Sequence, residues 1–528
     1  MLNTFKNQIL PKHSKYDYII IGSGFGGSVS ALRLAEKGYK VLVIEKGKWF
    51  KATDFPKTNW NLRKWLWFPA FKLMGIMQFT YYRHLAILSG VGVGGGSLVY
   101  ANTLPKPKNA FFKTGSWATL QNWDKVLSPF YSKALKMLGA TENPKLFDAD
   151  FPLKEIAKQK GENNFSSTHV AVFFGEKENQ KHPDPYFEGK GPERKSCNFC
   201  GKCMTGCPNN SKNTLDKNYL YLAQQLGVEI IAEHEVIDVL AINDNEYNVQ
   251  FKKSTKYFSK IKNIKTKGIV FSAGVLGTVS LLLKLKQKSL PKLSDMVGKD
   301  IRSNNEALIA VVSPDKTKDF SKGVAIASIF DVDKNSHIEP VRYGKGSGFW
   351  RILMLPSIDE TNIFLRLLKL FWTLISNPIQ WLKIFLVKDF AKQSTILLFM
   401  QNLDSKLQFK KTWFRMKTNV TEGKKPTAFI PEAHAIAKQY AKEVNGKPLS
   451  IFSETLTGVP STAHILGGAV MGENAETGVI DKNNKVFGYN NMFVCDGSMI
   501  SANPGVNPSL SITAISEYAM SRISQKNT

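Results

Sequence analysis

Residues 16–47 read YDYIIIGSGFGGSVSALRLAEKGYKVLVIEKG, and this stretch decides the fold. Tyr16 to Ile21 is an aromatic and β-branched run that stops at Gly22, as a buried strand does. Ser28 to Lys37 carries apolar residues at helical spacing, and Lys40 to Gly47 returns to strand composition. Between the first strand and the helix, Gly22, Gly24 and Gly27 satisfy G-x-G-x-x-G. The first glycine permits the tight turn, the second lets backbone approach a pyrophosphate, and the third lets helix and strand pack closely. Free N–H groups at the helix N-terminus then face the phosphates. Glu45 closes the second strand, where a carboxylate would accept hydrogen bonds from an adenosine ribose. The stretch therefore predicts a β-α-β dinucleotide-binding unit.

A second glycine-rich segment, GVGVGGGSLVYANTLP, runs from Gly90 to Pro105. Its glycines, Gly92, Gly95 and Gly96 among them, are too dense for a strand, and Ser97 resumes an apolar pattern. Such a segment suits backbone pressed against a flat ligand, with a flexible turn as the alternative. Residues 106–196 are polar and read as irregular. After them, Asn213 to Gly227 is helical, VEIIAEHEVIDVLAI is a strand pair, and Lys267 to Thr278 is a strand running into a glycine-containing turn.

The chain has 528 residues, too many for one compact core, so two domains are expected. Its formal net charge of +28 comes almost wholly from lysine and would attract polyanions. No nucleic-acid module is visible, which leaves an anionic membrane face or a merely solvated surface. The polar N-terminus, MLNTFKNQILPKHSKYDY, lacks the apolar core of a secretory signal, so a cytoplasmic location is expected. Residues 361–390 form the most apolar stretch, interrupted by Arg366, Lys369, Pro378 and Lys383 and hence unsuited to spanning a bilayer. Ile363, Phe364, Leu367, Phe371, Leu374 and Ile375 share one helical face, which fits either a core-facing helix or a helix resting on a membrane.

Four of the five cysteines lie in CNFCGKCMTGCP, at Cys197, Cys200, Cys203 and Cys207. The spacing C-x2-C-x2-C-x3-C-P is the ligand run of bacterial ferredoxins, so an iron-sulfur cluster is one reading. Structural zinc and metal-free thiols are the others.

Near the C-terminus, STAHILGGAVMG (Ser461 to Gly472) presents His464 beside two glycines. MFVCDGSMISANPGVNPSLSITAISEYA (Met492 to Ala519) ends a strand at Asp496, placed to meet a ribityl or phosphate group. It then opens a helix with Asn507 suited to the N-cap and Pro508 to the first helical position. Together with GSGFGG and GVGGGSLVYANT, these stretches resemble the glucose-methanol-choline flavoprotein oxidoreductases, in their cholesterol-oxidase-like branch with a cysteine cluster. The resemblance runs nearly end to end.

It implies an α/β fold, a Rossmann-like FAD-binding domain interleaved with an α+β substrate-binding domain on a mainly antiparallel sheet. Residues 1–110, 197–300 and 456–528 would belong to the FAD-binding domain, and 111–196 and 301–455 to the substrate region. FAD contacts would fall at Gly22, Gly24, Gly27, Glu45, Gly92, Gly95, Gly96, Ser97, Asn102, Val236, Asp496 and Pro508. The resemblance further implies that His464 and Asn507 position an alcohol while hydride passes to flavin N5, and that Glu339, in HIEPVRYGKGS, is an isomerisation base. The expected substrate is a sterol or another bulky apolar alcohol, with oxygen or another acceptor taking the electrons and contact with an anionic inner membrane face. Two rival readings are a dehydrogenase of another alcohol or sugar feeding a quinone or cytochrome through an iron-sulfur cluster, and a non-catalytic flavin-bearing sterol-binding protein.

Overall fold

A computed structural model describes residues 10–161, 164–403, 405–412, 415–423 and 426–527. The reading of the N-terminus as signal-free falls largely on residues 1–9, outside the described residues. The 16–47 stretch folds as its composition dictates: strand Lys15–Ile21, helix Phe25–Glu36, strand Val41–Ile44. Both strands are buried on two faces, which is why they read as continuous apolar runs.

They sit in a seven-stranded sheet. Glu229–Ile231, Val41–Ile44, Lys15–Ile21, Lys262–Phe271 and Met492–Val494 run parallel, and Glu246–Lys253 and His234–Asn243 complete it antiparallel. A second seven-stranded sheet is antiparallel throughout, in the order Met354–Pro356, Lys447–Ile451, Ala307–Val312, Ser394–Gln401, Ser336–Val341, Ser328–Asp331, Phe165–Ser167. Strands of the first sheet come from residues 15–44, 229–271 and 492–494, so the two layers alternate along the chain. This is the expected α/β architecture, with a dinucleotide-binding sheet interleaved with an antiparallel one.

Three local expectations are corrected. Residues 106–196 contain two helices, Trp123–Leu138 and Phe151–Gln159. In the first, Trp123, Leu127, Tyr131, Ala134 and Leu138 form a buried stripe at helical spacing that the surrounding lysines obscure. The 213–227 helix is shorter, Tyr219–Gln225, because the Asn218 side chain caps it by accepting from the Tyr219 N–H at 2.6 Å. The strand ending at Phe271 runs into a thirteen-residue helix, Gly274–Lys286, where a turn was expected.

Candidate active site

A cavity of about 740 Å³ lies between the two sheets, and three helices begin on its wall. Gly24 and Phe25 bring the start of Phe25–Glu36, Ala273 and Gly274 that of Gly274–Lys286, and Pro508 and Ser509 that of Ser509–Ser521. Each presents unpaired backbone N–H groups and the positive end of its dipole, so this part of the cavity favours anionic groups. The first helix start carries no acidic residue to compete for that field.

The glycines explain how backbone reaches the cavity. Gly22 has φ +100°, and a Cβ there would stand 2.3 Å from the Ser272 carbonyl oxygen. A Cβ on Gly24 would meet nothing nearer than 4.0 Å, so this residue faces open space. Gly95 lies on the first loop: its Cβ would fall 2.7 Å from Gly24 Cα. The Ser23 hydroxyl accepts from the Gly94 N–H at 3.1 Å, tying the two glycine loops together.

Of the residues expected to contact FAD, Gly22, Gly24, Glu45, Gly95, Gly96, Val236, Asp496 and Pro508 line the cavity. Gly27, Gly92, Ser97 and Asn102 do not. Gly27 packs on the Gly22 carbonyl, and Gly92 on Leu98, Phe50 and the Lys48 carbonyl. The Ser97 hydroxyl donates to the Gly94 carbonyl and accepts from the Leu215 N–H, while Asn102 faces Cys203. Glu45 accepts from the Ser23 N–H and hydroxyl and from the Gly47 N–H. Asp496 accepts from Ser498 and Thr278, and burial raises its carboxyl above the ordinary range. The glycine cradle and the start of Phe25–Glu36 fit a dinucleotide pyrophosphate.

Side chains complete the cavity wall. His464 and Asn507 line it together with the apolar Val341, Met354, Ile396, Leu398 and Ile451. His464 Nδ1 lies 2.7 Å from Glu306 Oε1. Glu306 already accepts from the Thr462 hydroxyl at 3.0 Å and the Ala463 N–H at 3.1 Å, so it is the acceptor here too and Nδ1 carries the proton. Nε2 is left as the ring's acceptor. Sequence reasoning missed Glu306, which lies 158 residues from its partner and in no motif.

Asn507 does not act as a cap. The helix caps at Pro508 without a side-chain hydrogen bond, while the Asn507 amide donates to Glu339 Oε2 at 3.3 Å and its own oxygen is a buried acceptor without a protein partner. Glu339 is fully buried and sits behind Asn507, outside the cavity lining. Burial pushes its carboxyl up to about 8. His337, 3.7 Å from Glu339, is held down at about 3 by burial and stays neutral, so it supplies no counter-charge.

Cys197, Cys200, Cys203 and Cys207 surround a separate cavity of only about 10 Å³. That volume is about one water, far short of a four-iron cluster. Among the described residues no group of three or more His, Cys, Asp or Glu side chains is arranged to hold a metal ion. Lys212 shares the site, its ammonium donating to the carbonyls of Leu98, Tyr100 and Cys203. Burial pushes the Cys200 thiol up to about 11. The four thiols line one small pocket with Lys212, and no electron relay is derived from them.

Fold and cavity define a class: a dinucleotide-dependent oxidoreductase whose glycine loops, an imidazole and an amide share one cavity wall. Residues 187–292 and 408–516 match the GMC oxidoreductase family models, and residues 20–49 match an NAD(P)-binding Rossmann-like domain. The chain is 43% identical to a cholesterol oxidase of Acinetobacter baumannii, covering 97% of this chain and 95% of that one. It is 40% identical to a cholesterol oxidase of Mycobacterium tuberculosis, over 96% and 90% of the two chains. A solved formate oxidase shares the fold with a TM-score of 0.61 at 13% identity, covering 97% of this chain and 98% of that one. The chain belongs to the GMC oxidoreductases and is an FAD-dependent alcohol oxidoreductase. The non-catalytic reading is thereby set aside.

Proposed function

We propose that the chain oxidises the 3β-hydroxyl of cholesterol or a closely related sterol to the ketone and then shifts the Δ5 double bond to Δ4, with oxygen as acceptor giving hydrogen peroxide. The observation that carries this reading is the pairing of apolar cavity wall with His464, Asn507 and, behind them, a buried carboxyl at Glu339. The two relatives at 40% identity or more, both named cholesterol oxidase, support the sterol as substrate class.

The glycine cradle, Val236, Asp496 and Pro508 would hold FAD, which would supply the hydride acceptor. The Glu306 carboxylate fixes the His464 ring so that Nε2 accepts the substrate's hydroxyl proton, a task suited to a neutral imidazole. The Asn507 amide, anchored at the mouth of its helix, orients the same oxygen. Once the ketone has formed, Glu339 takes a proton from C4 and returns it to C6, a step that requires the Asn507 amide to turn aside and open the buried carboxyl to the cavity. A carboxyl raised to about 8 holds a proton well enough to return it. The basic chain would meet its bilayer-borne substrate at an anionic lipid face.

An anaerobic titration of the purified protein with cholesterol tests the reading. Stoichiometric bleaching of the flavin band is the expected result. An oxidised flavin with sterol and a bleached one with a long-chain alcohol would favour a second reading, motivated by the 24% identity to a long-chain-alcohol oxidase of Arabidopsis thaliana.

A further inference from the structure

Behind Asn507 lie polar atoms that neither reaction step uses. His337 and Glu339 are two residues apart on the strand Ser336–Val341, so both side chains leave the same face of the sheet. The strand is buried along its whole length, with His337 2% and Glu339 0% exposed. His337 Nε2 stands 3.7 Å from Glu339 Oε1, and among the described residues neither atom has a hydrogen-bond partner. The gap is too long for a hydrogen bond, yet a small side-chain rotation closes it. A histidine placed there for packing alone would bury an unsatisfied ring nitrogen, a cost that an apolar ring avoids.

The surroundings fix what this nitrogen can do. The Asn507 amide donates to the other carboxyl oxygen, Oε2, at 3.3 Å, so Oε1 is the oxygen that faces His337. Asn304 steadies the Asn507 segment by donating to the Val506 carbonyl at 2.8 Å, and it also reaches Met400 Sδ, on the strand position opposite His337. The titratable groups around the pair are Glu306, which opposes a charge on Glu339, and His464 and Lys108, which oppose one on His337. Lys108 is paired with Asp331 at 3.0 Å, and burial keeps the His337 ring neutral. A neutral imidazole brings an N–H without bringing a charge. It can steady an ionised carboxylate, whereas a cation in its place would hold that carboxylate ionised and spoil it as a base.

We infer that His337 is a positioning residue for Glu339, turning its ring N–H onto Oε1 and holding the carboxylate in place once the proton has left. The inference rests on the reading of Glu339 as the isomerisation base. In that step the Asn507 amide turns aside, and Oε2 loses its donor. Without His337 the ionised carboxylate would then be buried with no donor on either oxygen, which disfavours ionisation. With the imidazole N–H on Oε1, the group stays anchored while Oε2 works on C4 and C6. The neutral ring carries its one proton on Nε2 for this purpose, leaving Nδ1 bare. His337 lies outside the cavity lining, so it acts on Glu339 and not on the substrate.

The test supplies cholest-5-en-3-one, the 3-keto-Δ5 product of cholesterol, directly to the FAD-loaded chain, so that isomerisation is followed without oxidation. In His337→Phe, and equally in His337→Leu, the midpoint of the rise in rate with pH should move up by about one unit, a fall of about ten-fold below both midpoints. Melting temperature, FAD content and oxidation of whichever alcohol bleaches the wild-type flavin should stay as they are. His337→Gln keeps an N–H at that reach and should bring the midpoint most of the way back. An unshifted midpoint in the apolar variants, an equal loss of oxidation, or a glutamine no better than phenylalanine would each overturn the inference. A second readout needs no turnover: the infrared band of the protonated Glu339 carboxyl, identified by its loss in Glu339→Gln, should titrate about one pH unit higher in His337→Phe. Equal titration overturns the pairing. A wild type that leaves the ketone unisomerised would sink the isomerase reading instead, and the infrared band still scores the contact.

Discussion

Two parts of the cavity wall are built in opposite ways. Where the glycine loops border the cavity the protein offers backbone: glycines with no Cβ and the start of Phe25–Glu36. Around His464 it offers side chains from distant segments, Glu306, Glu339, His464 and Asn507. A backbone-built wall depends on close approach and fails through steric overlap. A side-chain-built wall depends on hydrogen bonds and fails one interaction at a time, leaving the fold intact.

The largest effect should come from the first kind. A Cβ on Gly26 would stand 1.7 Å from the Cys495 carbonyl oxygen, where the helix crosses the parallel strand's end. Gly26→Ala should therefore cost at least about 3 kcal/mol and yield little FAD-loaded protein. Gly24→Ala sharpens the contrast, since its Cβ points to open space. That variant should fold with a near-normal melting temperature and bind FAD more weakly, and normal FAD loading in both would break the comparison.

Among the side chains, His464→Ala should keep its FAD and lose about 10³-fold in kcat, the range of a general base. Retention of more than a tenth of the activity would remove His464 from that role. Glu306→Gln removes a charge-assisted hydrogen bond worth about 1.5–3 kcal/mol and should lower kcat about 10- to 100-fold with little change in KM. An effect confined to KM would make Glu306 a packing residue.

The smallest effect on oxidation should be at Glu339. Glu339→Gln should leave sterol oxidation within about five-fold, since the group lies outside the cavity lining, while 3-keto-Δ5 product accumulates unisomerised. In the wild type, isomerisation relative to oxidation should climb as pH rises through about 8, where the base becomes ionised. Stability should move oppositely. The folded chain holds this proton from an ordinary 4.5 up to about 8, where the unfolded chain has released it, so stability falls across that window as pH rises. Melting curves should show a shallower fall for Glu339→Gln, and parallel curves would mean the carboxyl is not raised.

How far the sequence could be read tracks the same division. Gly22, Gly24 and Glu45 were legible because a β-α-β turn specifies backbone over a few adjacent residues, and local spacing records it. His464 and Asn507 were legible only through the resemblance of their flanking motifs. Glu306 was not legible at all, because a lone glutamate before a strand has no local signature.

Sequence alone thus determined the dinucleotide unit, since periodicity and glycine spacing are written in neighbouring residues, while the two-sheet fold and the GMC family came from the resemblance of its motifs. Only the tertiary structure decided three other matters. It paired Glu306 with His464, and it gave the four cysteines a cavity shared with Lys212 that is too small for a cluster. It also turned the apolar face of Ile363–Ser376 outward. Each depends on which distant segments meet, and an apolar stripe or a thiol run has the same spelling whether it meets a core, a metal or solvent.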